Sequence, residues 1–137
     1  MDWREEYETG ISAIDHEHHV LVDYVSDIEY AVAANDYQAV ECTIGRLISF
    51  SITHFSFEET LMETQHYRDI HEHIDGHKRF LAALEVLQGT AQVEEVAKTL
   101  AESVQTLLVR HLTSDDKEYA SSLTAKNRGW VQEYFPS

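Results

Sequence analysis

In four successive segments of the chain, apolar side chains recur every three to four residues, and in each segment histidine takes one or two of the positions that this period turns inward. Such a pattern fits helices that bury their histidines together. The first stripe runs Ile14, His18, Leu21, Val25, Ile28 and Val32. The second runs Val40, Ile44, Leu47, Ser51, His54, Glu58 and Leu61. The third is Ile70, His73, Ile74, His77, Leu81, Leu84 and Leu87, and the fourth is Val93, Val96, Leu100, Val104, Leu107, Leu108, His111 and Leu112. Asn35-Asp36 reads as a left-handed helix stop followed by an N-cap. Asp69 with Glu72 resembles a capping box that opens the third helix, and Gly89 reads as its left-handed stop. Only 5 glycines and one proline, Pro136, punctuate the 137 residues, too few for a strand-rich fold with many tight turns. The expected fold is therefore all-α: one domain over 1–137, an antiparallel up-down-up-down four-helix bundle with helices about 15–34, 37–64, 70–88 and 91–117. A short N-terminal arm precedes it. The tail from Ser121, with Trp130, Val131 and Phe135, is expected to fold back over one bundle end.

Composition narrows the chemistry. Twenty-five acidic against 10 basic side chains give a formal net charge of −15, which repels nucleic acid and anionic membrane surfaces. The acidic start from Asp2 to Glu6 is unlike a secretory signal, so the cytoplasm is the expected location. The single cysteine, Cys42, excludes an internal disulfide, a Cys-rich zinc or iron–sulfur site and a Cys-x-x-Cys-His haem attachment. Any metal must rest on nitrogen and oxygen. His73 and His77, like His54 and Glu58, lie one helical turn apart, so each pair offers two donor atoms on one face. Buried without partners, five imidazoles and a carboxylate would each cost a few kcal/mol, and a shared metal centre accounts for all of them. Five histidines with one or two carboxylates suit two bridged ions better than one. Donor type alone leaves iron, zinc, copper and manganese open. Glu63-x-x-His66 is the only pair with the spacing of ferritin-like di-iron bundles, and it falls in a turn. His16, His19, His66 and His71 are expected to face solvent or lie in the turn.

Four motifs together resemble the hemerythrin family, and specifically its bacterial members. They are Gly10-Ile11-x-x-Ile14-Asp15-x-Glu17-His18-x-x-Leu21; His54-Phe55-x-x-Glu58-Glu59-x-Leu61-Met62; Tyr67 with His73-x-x-x-His77-x-x-Phe80; and Leu108-x-x-His111-Leu112-x-x-x-Asp116-x-x-Tyr119. The resemblance implies a non-haem, oxo- or hydroxo-bridged pair of iron ions that binds dioxygen reversibly. It places His18 and His54 on one iron, His73, His77 and His111 on the other, and Glu58 and Asp116 as bridges. Asp116 conflicts with ideal helix geometry: five residues beyond His111 is about 140° round the helix, whereas Asp115 lies about 40° away. The motif selects Asp116, and a helix locally widened near His111 is therefore predicted. Phe55, Leu108 and Leu112 are expected to form the apolar wall of the oxygen pocket. Two positions depart from the family pattern. Leu107 stands where relatives often carry tryptophan, and His66-Tyr67-Arg68 replaces Gly-Tyr-Pro, putting histidine where positive φ is needed. The function expected is reversible oxygen binding for carriage, storage or delivery, not that of an enzyme, in a monomer or small oligomer with an oxygen-using enzyme or a signalling protein as its partner. Alternatives from the same site are an oxygen-sensing input domain with a signalling partner, a peroxide or nitric oxide reductase, and an iron-repair protein. A mononuclear zinc protein or metal-free bundle is a further one.

Overall fold

The computed structural model describes residues 1–123. After a single 3-10 turn at Glu5–Tyr7, five α-helices follow: α1 Ser12–Ala33, α2 Tyr37–Thr64, α3 Ile70–Thr90, α4 Glu94–Arg110 and α5 Asp116–Ser122. A π-helical turn, His111–Asp115, joins α4 to α5 without a break. The long helices make the expected four-helix bundle: α1 packs on α2 and α4, and α3 closes the ring against α2 and α4. Among the described residues no helix is long and apolar enough to cross a membrane. The expected fold-back of the tail falls on 124–137, outside the described residues, apart from the end of α5.

Local chemistry sets the helix ends. Asn35 sits at φ 57° and His66 at φ 55°. In both places the next amide closes on the carbonyl five residues back, Asp36 N–H to Ala31 and Tyr67 N–H to Met62, while the left-handed residue itself bonds three back. Both ends are thus Schellman caps, which require a left-handed residue at that position. Asp36 then caps α2 by accepting from the Ala39 N–H at 3.1 Å. Asp36→Ala should lower stability by about 1 kcal/mol, seen as a melting point about 4 °C lower, and Asp36→Asn should restore it.

Other boundaries differ from expectation. Helix α1 begins three residues early because Asp15, inside the first turn, accepts from the Thr9 and Gly10 amides and the Thr9 hydroxyl. Gly10, at φ 82°, makes the bend. Asp69 stands at the N-cap of α3 but makes no side-chain cap bond. Gly89 does not end that helix, which runs to Thr90, whose hydroxyl bonds the Leu87 carbonyl at 3.1 Å. The fourth stripe is also corrected at its start. Val93 and Val96 are 53% and 36% exposed, while Ala91 and Ala97 are buried in their place. Val93 lies outside the helix as its N-cap, and the buried phase of α4 is Ala97, Leu100, Val104 and Leu108.

The interior has two apolar clusters. The larger includes Leu21, Val25, Ile44, Leu47, Phe55, Phe80, Leu84, Leu100, Leu108 and Leu112. The smaller includes Ile11, Ile14, Leu61, Met62 and Tyr119. On α1, α2 and α3 the inward histidines fall between residues that belong to, or pack on, the two clusters, and His111 in the π turn follows Leu108 of the larger and precedes Tyr119 of the smaller. Water is therefore excluded from both sides of the polar layer.

Candidate metal centre

All seven side chains singled out in the sequence come together in that layer. His18, His54, Glu58 and Asp116 have no exposed surface, and His73, His77 and His111 are nearly as buried. Donor atoms of His18, His54, Glu58, His111 and Asp116 lie within 4.8 Å of one another, as do those of Glu58, His73, His77 and Asp116. The two carboxylates belong to both groups. Glu58 Oε1 is 2.7 Å from His54 Nε2 and 3.5 Å from His18 Nε2, while its Oε2 is 3.2 Å from His73 Nε2 and 3.0 Å from His77 Nε2. Asp116 Oδ2 is 2.6 Å from His18 Nε2, and its Oδ1 is 3.0 Å from His73 Nε2.

Asp116 reaches this position through the π turn. Its amide bonds the His111 carbonyl five residues back, so the turn is one residue wider than an α-helical one and brings Asp116 round over His111. The widening predicted from the sequence is present. Asp115, which straight-helix geometry favours, instead lines two cavities beside α3.

His111 is placed differently from the resemblance. Its Nε2 lies 2.8 Å from Asp116 Oδ2 and 3.7 Å from Glu58 Oε1, the oxygens that face His18 and His54. Its ring is nearly equidistant from His77 and His18, at 5.4 and 5.6 Å. The imidazole thus stands between the two groups.

Several of these short contacts are not hydrogen bonds. Nε2 of His18, His54 and His111, Oε1 of Glu58 and both oxygens of Asp116 are fully buried with no hydrogen-bond partner among the described residues. Buried polar atoms are rarely left so, and here they crowd a common space instead of pairing. Donors arranged in this way fit cations: nitrogen and oxygen ligands, two carboxylates shared between two groups of imidazoles, and a dry surround.

The charges agree. Burial disfavours charge on His54, but Glu58, Asp116 and Glu17 outweigh it and raise its pKa well above the usual value. Against the same opposition from burial, Asp116 and Glu58 push His73 up to about 10 and His111 to about 9. Glu58 is held well below its ordinary range despite burial, chiefly by His54. Asp116 is also lowered, against burial and the charge of Glu58, by His111. Both carboxylates are therefore charged at neutral pH.

Two residues escaped the sequence reading. Glu17 Oε2 lies 3.3 Å from His54 Nδ1, and Glu59 Oε2 lies 2.9 Å from His77 Nδ1. Each carboxylate holds the outer edge of an imidazole whose inner Nε2 faces the layer, which fixes tautomer and ring orientation. Their positions beside His18 and Glu58 in the motifs were visible, but the helix facing each one was not. Phe55 lies flat on His77, with ring centroids 3.9 Å apart and planes 7° apart, and meets His111 edge-on. Leu108 and Leu112 are fully buried in the same apolar cluster as Phe55. Tyr119 donates to Gln65 Oε1 beside Tyr67.

The model of the hemerythrin HHE cation binding domain matches residues 9–123. The chain belongs to the hemerythrin family. It is 28% identical over 122 residues to a bacteriohemerythrin of Pseudomonas aeruginosa, covering 88% of this chain and 80% of that one. A bacteriohemerythrin of Methylococcus capsulatus is 27% identical over 128 residues, 91% of this chain and 98% of the relative. A myohemerythrin of Theromyzon tessulatum is 24% identical over 121 residues, 88% of this chain and 92% of its own length. Among solved structures, the crystal structure of a leucine-to-phenylalanine mutant superposes with a TM-score of 0.80 at 26% identity, covering 91% of this chain and 98% of that one. The four helices with their buried layer of imidazoles and carboxylates are thus the hemerythrin domain of this chain.

Proposed function

We propose that this hemerythrin binds dioxygen reversibly at a di-iron centre held by His18, His54, Glu58, His73, His77, His111 and Asp116. The observation that carries the reading is the way each carboxylate divides its two oxygens between two groups of imidazoles, the arrangement of a bridge between two ions. Two ions in this layer would be held by the five imidazoles and two carboxylates together, and an odd number of imidazoles would leave one of them a position open to a small molecule. Bound ferrous iron supplies the electrons with which dioxygen is held. The protein's part is to fix the donors and keep the site dry. Phe55, Leu108 and Leu112 are proposed as the apolar wall that shields it from water, which slows loss of the bound oxygen and favours carriage over turnover.

Anaerobic reconstitution with ferrous iron, followed by metal analysis and visible spectra through cycles of oxygen and argon, tests the proposal. The expected result is about two irons per chain and a colour that rises under oxygen and fades under argon. A colour that never reverses would indicate an oxidase or sensor, and a colourless protein with one ion or none would remove the centre altogether. Glu17→Gln and Glu59→Gln should each weaken iron retention about tenfold or more in a chelator competition, because the outer edge of one imidazole loses its anionic acceptor.

A further inference from the structure

Beside the metal layer, between α3 and the π turn, lies a cavity of about 90 Å³ with His111 among its walls. Its rim carries Arg79 and Arg110, two of only 10 basic residues in a chain of net charge −15. Both are exposed, and neither makes an ion pair among the described residues. Asp115 also reaches the cavity, yet it stays beyond ion-pair distance of both arginines. His111 is 2% exposed. Its Nε2 is turned to Asp116, and its Nδ1 makes no hydrogen bond to any described residue. This differs from His54 and His77, whose Nδ1 atoms each meet a glutamate. Phe80 and Leu107 supply the apolar remainder.

We infer that this cavity is a binding site for a small inorganic monoanion, held by the guanidiniums of Arg79 and Arg110 and by the outer edge of His111. A guanidinium recognises anions through charge-assisted N–H donors, and an imidazole whose Nε2 faces a cation presents Nδ1–H as a further donor. The volume suits an ion of a few heavy atoms. Gly76 helps to keep the space open: a Cβ there would stand 3.2 Å from Asp115 Oδ2 and 3.8 Å from Arg79 Nη2. An anion in this position bonds one edge of the imidazole whose other edge faces Asp116, so its presence is felt in the metal layer. The inference stands on the cavity and its arginines, whichever metal occupies the layer.

Bromide is a suitable probe for the metal-loaded protein, titrated at constant ionic strength against sodium glutamate. The expected result is an anomalous bromide peak between Arg79 and Arg110 in soaked crystals and a saturable rise in melting temperature with bromide. Arg79→Gln with Arg110→Gln should weaken that response at least about tenfold. Both side chains are exposed, so the fold should survive. Gly76→Ala, which favours the helix while narrowing the cavity, should weaken it as well. Bromide found only in the metal layer, no bromide in the cavity, or an unchanged response in the double variant would overturn the inference. Iron content measured on the same samples reports separately on the centre itself.

Discussion

Replacing Asp116 by asparagine should cut the iron retained after ferrous reconstitution from about two per chain to at most about one, whereas Asp115→Asn should leave it intact. The two neighbours have the same chemistry and differ only in what the π turn does with them. Asp116 is fully buried, with one oxygen 2.6 Å from His18 and the other 3.0 Å from His73. A neutral amide there keeps the shape but removes the charge that would join two ions. It also leaves the raised imidazoles facing Glu58 alone, and breaking a buried charge pair from one side costs about 3–5 kcal/mol. The metal-free Asp116→Asn protein should therefore melt well below the metal-free parent. Asp115 stands in open cavities with no ion pair among the described residues, so its amide should change stability by less than about 0.5 kcal/mol. Equal iron loss from both variants would show that the turn does not select between them.

That pair of aspartates also marks where the sequence was legible and where it was not. The periodic stripes placed all five imidazoles and Glu58 inside, because each sits in phase with large aliphatic neighbours that have nowhere else to go. Asp116 is out of phase on a straight helix, and only the motif, not the period, pointed to it. The left-handed residues Asn35 and His66 were readable because few other residue types accept that backbone region at modest cost. Gly89 misled because glycine permits a helix stop without enforcing one, and the Thr90 hydroxyl carried the helix past it. Val93 and Val96 misled because the apolar period ran on into residues that precede the helix or lie off its buried phase. Glu17 and Glu59 remained hidden because each acts on an imidazole from a neighbouring helix. Which faces of two helices meet at one depth depends on the packing of the whole bundle.

Stripping the metal should reverse the pH dependence of stability. Without ions the imidazoles of His54, His73 and His111 hold protons more tightly in the folded chain than in the unfolded one, where the ordinary value is about 6.5. Their contribution is complete below about pH 6.5 and is lost as the pH rises through their raised folded values, about 9 for His111 and about 10 for His73. Glu58 and Asp116, held below their ordinary values, contribute above about pH 4.5 and lose that contribution as the pH falls through their folded values. The metal-free protein should thus be most stable between about pH 4.5 and 6.5 and weaken steadily toward pH 9. Metal ions require the same imidazoles without their protons, so metal affinity should rise by up to roughly tenfold per pH unit for each proton displaced. The gap in melting temperature between loaded and stripped protein should accordingly widen from pH 6 to pH 9. Melting curves of both forms across that range, with metal content checked at each point, measure it directly. A gap that stays constant or narrows would mean that ions and protons do not compete for these imidazoles, and that the seven side chains do not hold the metal.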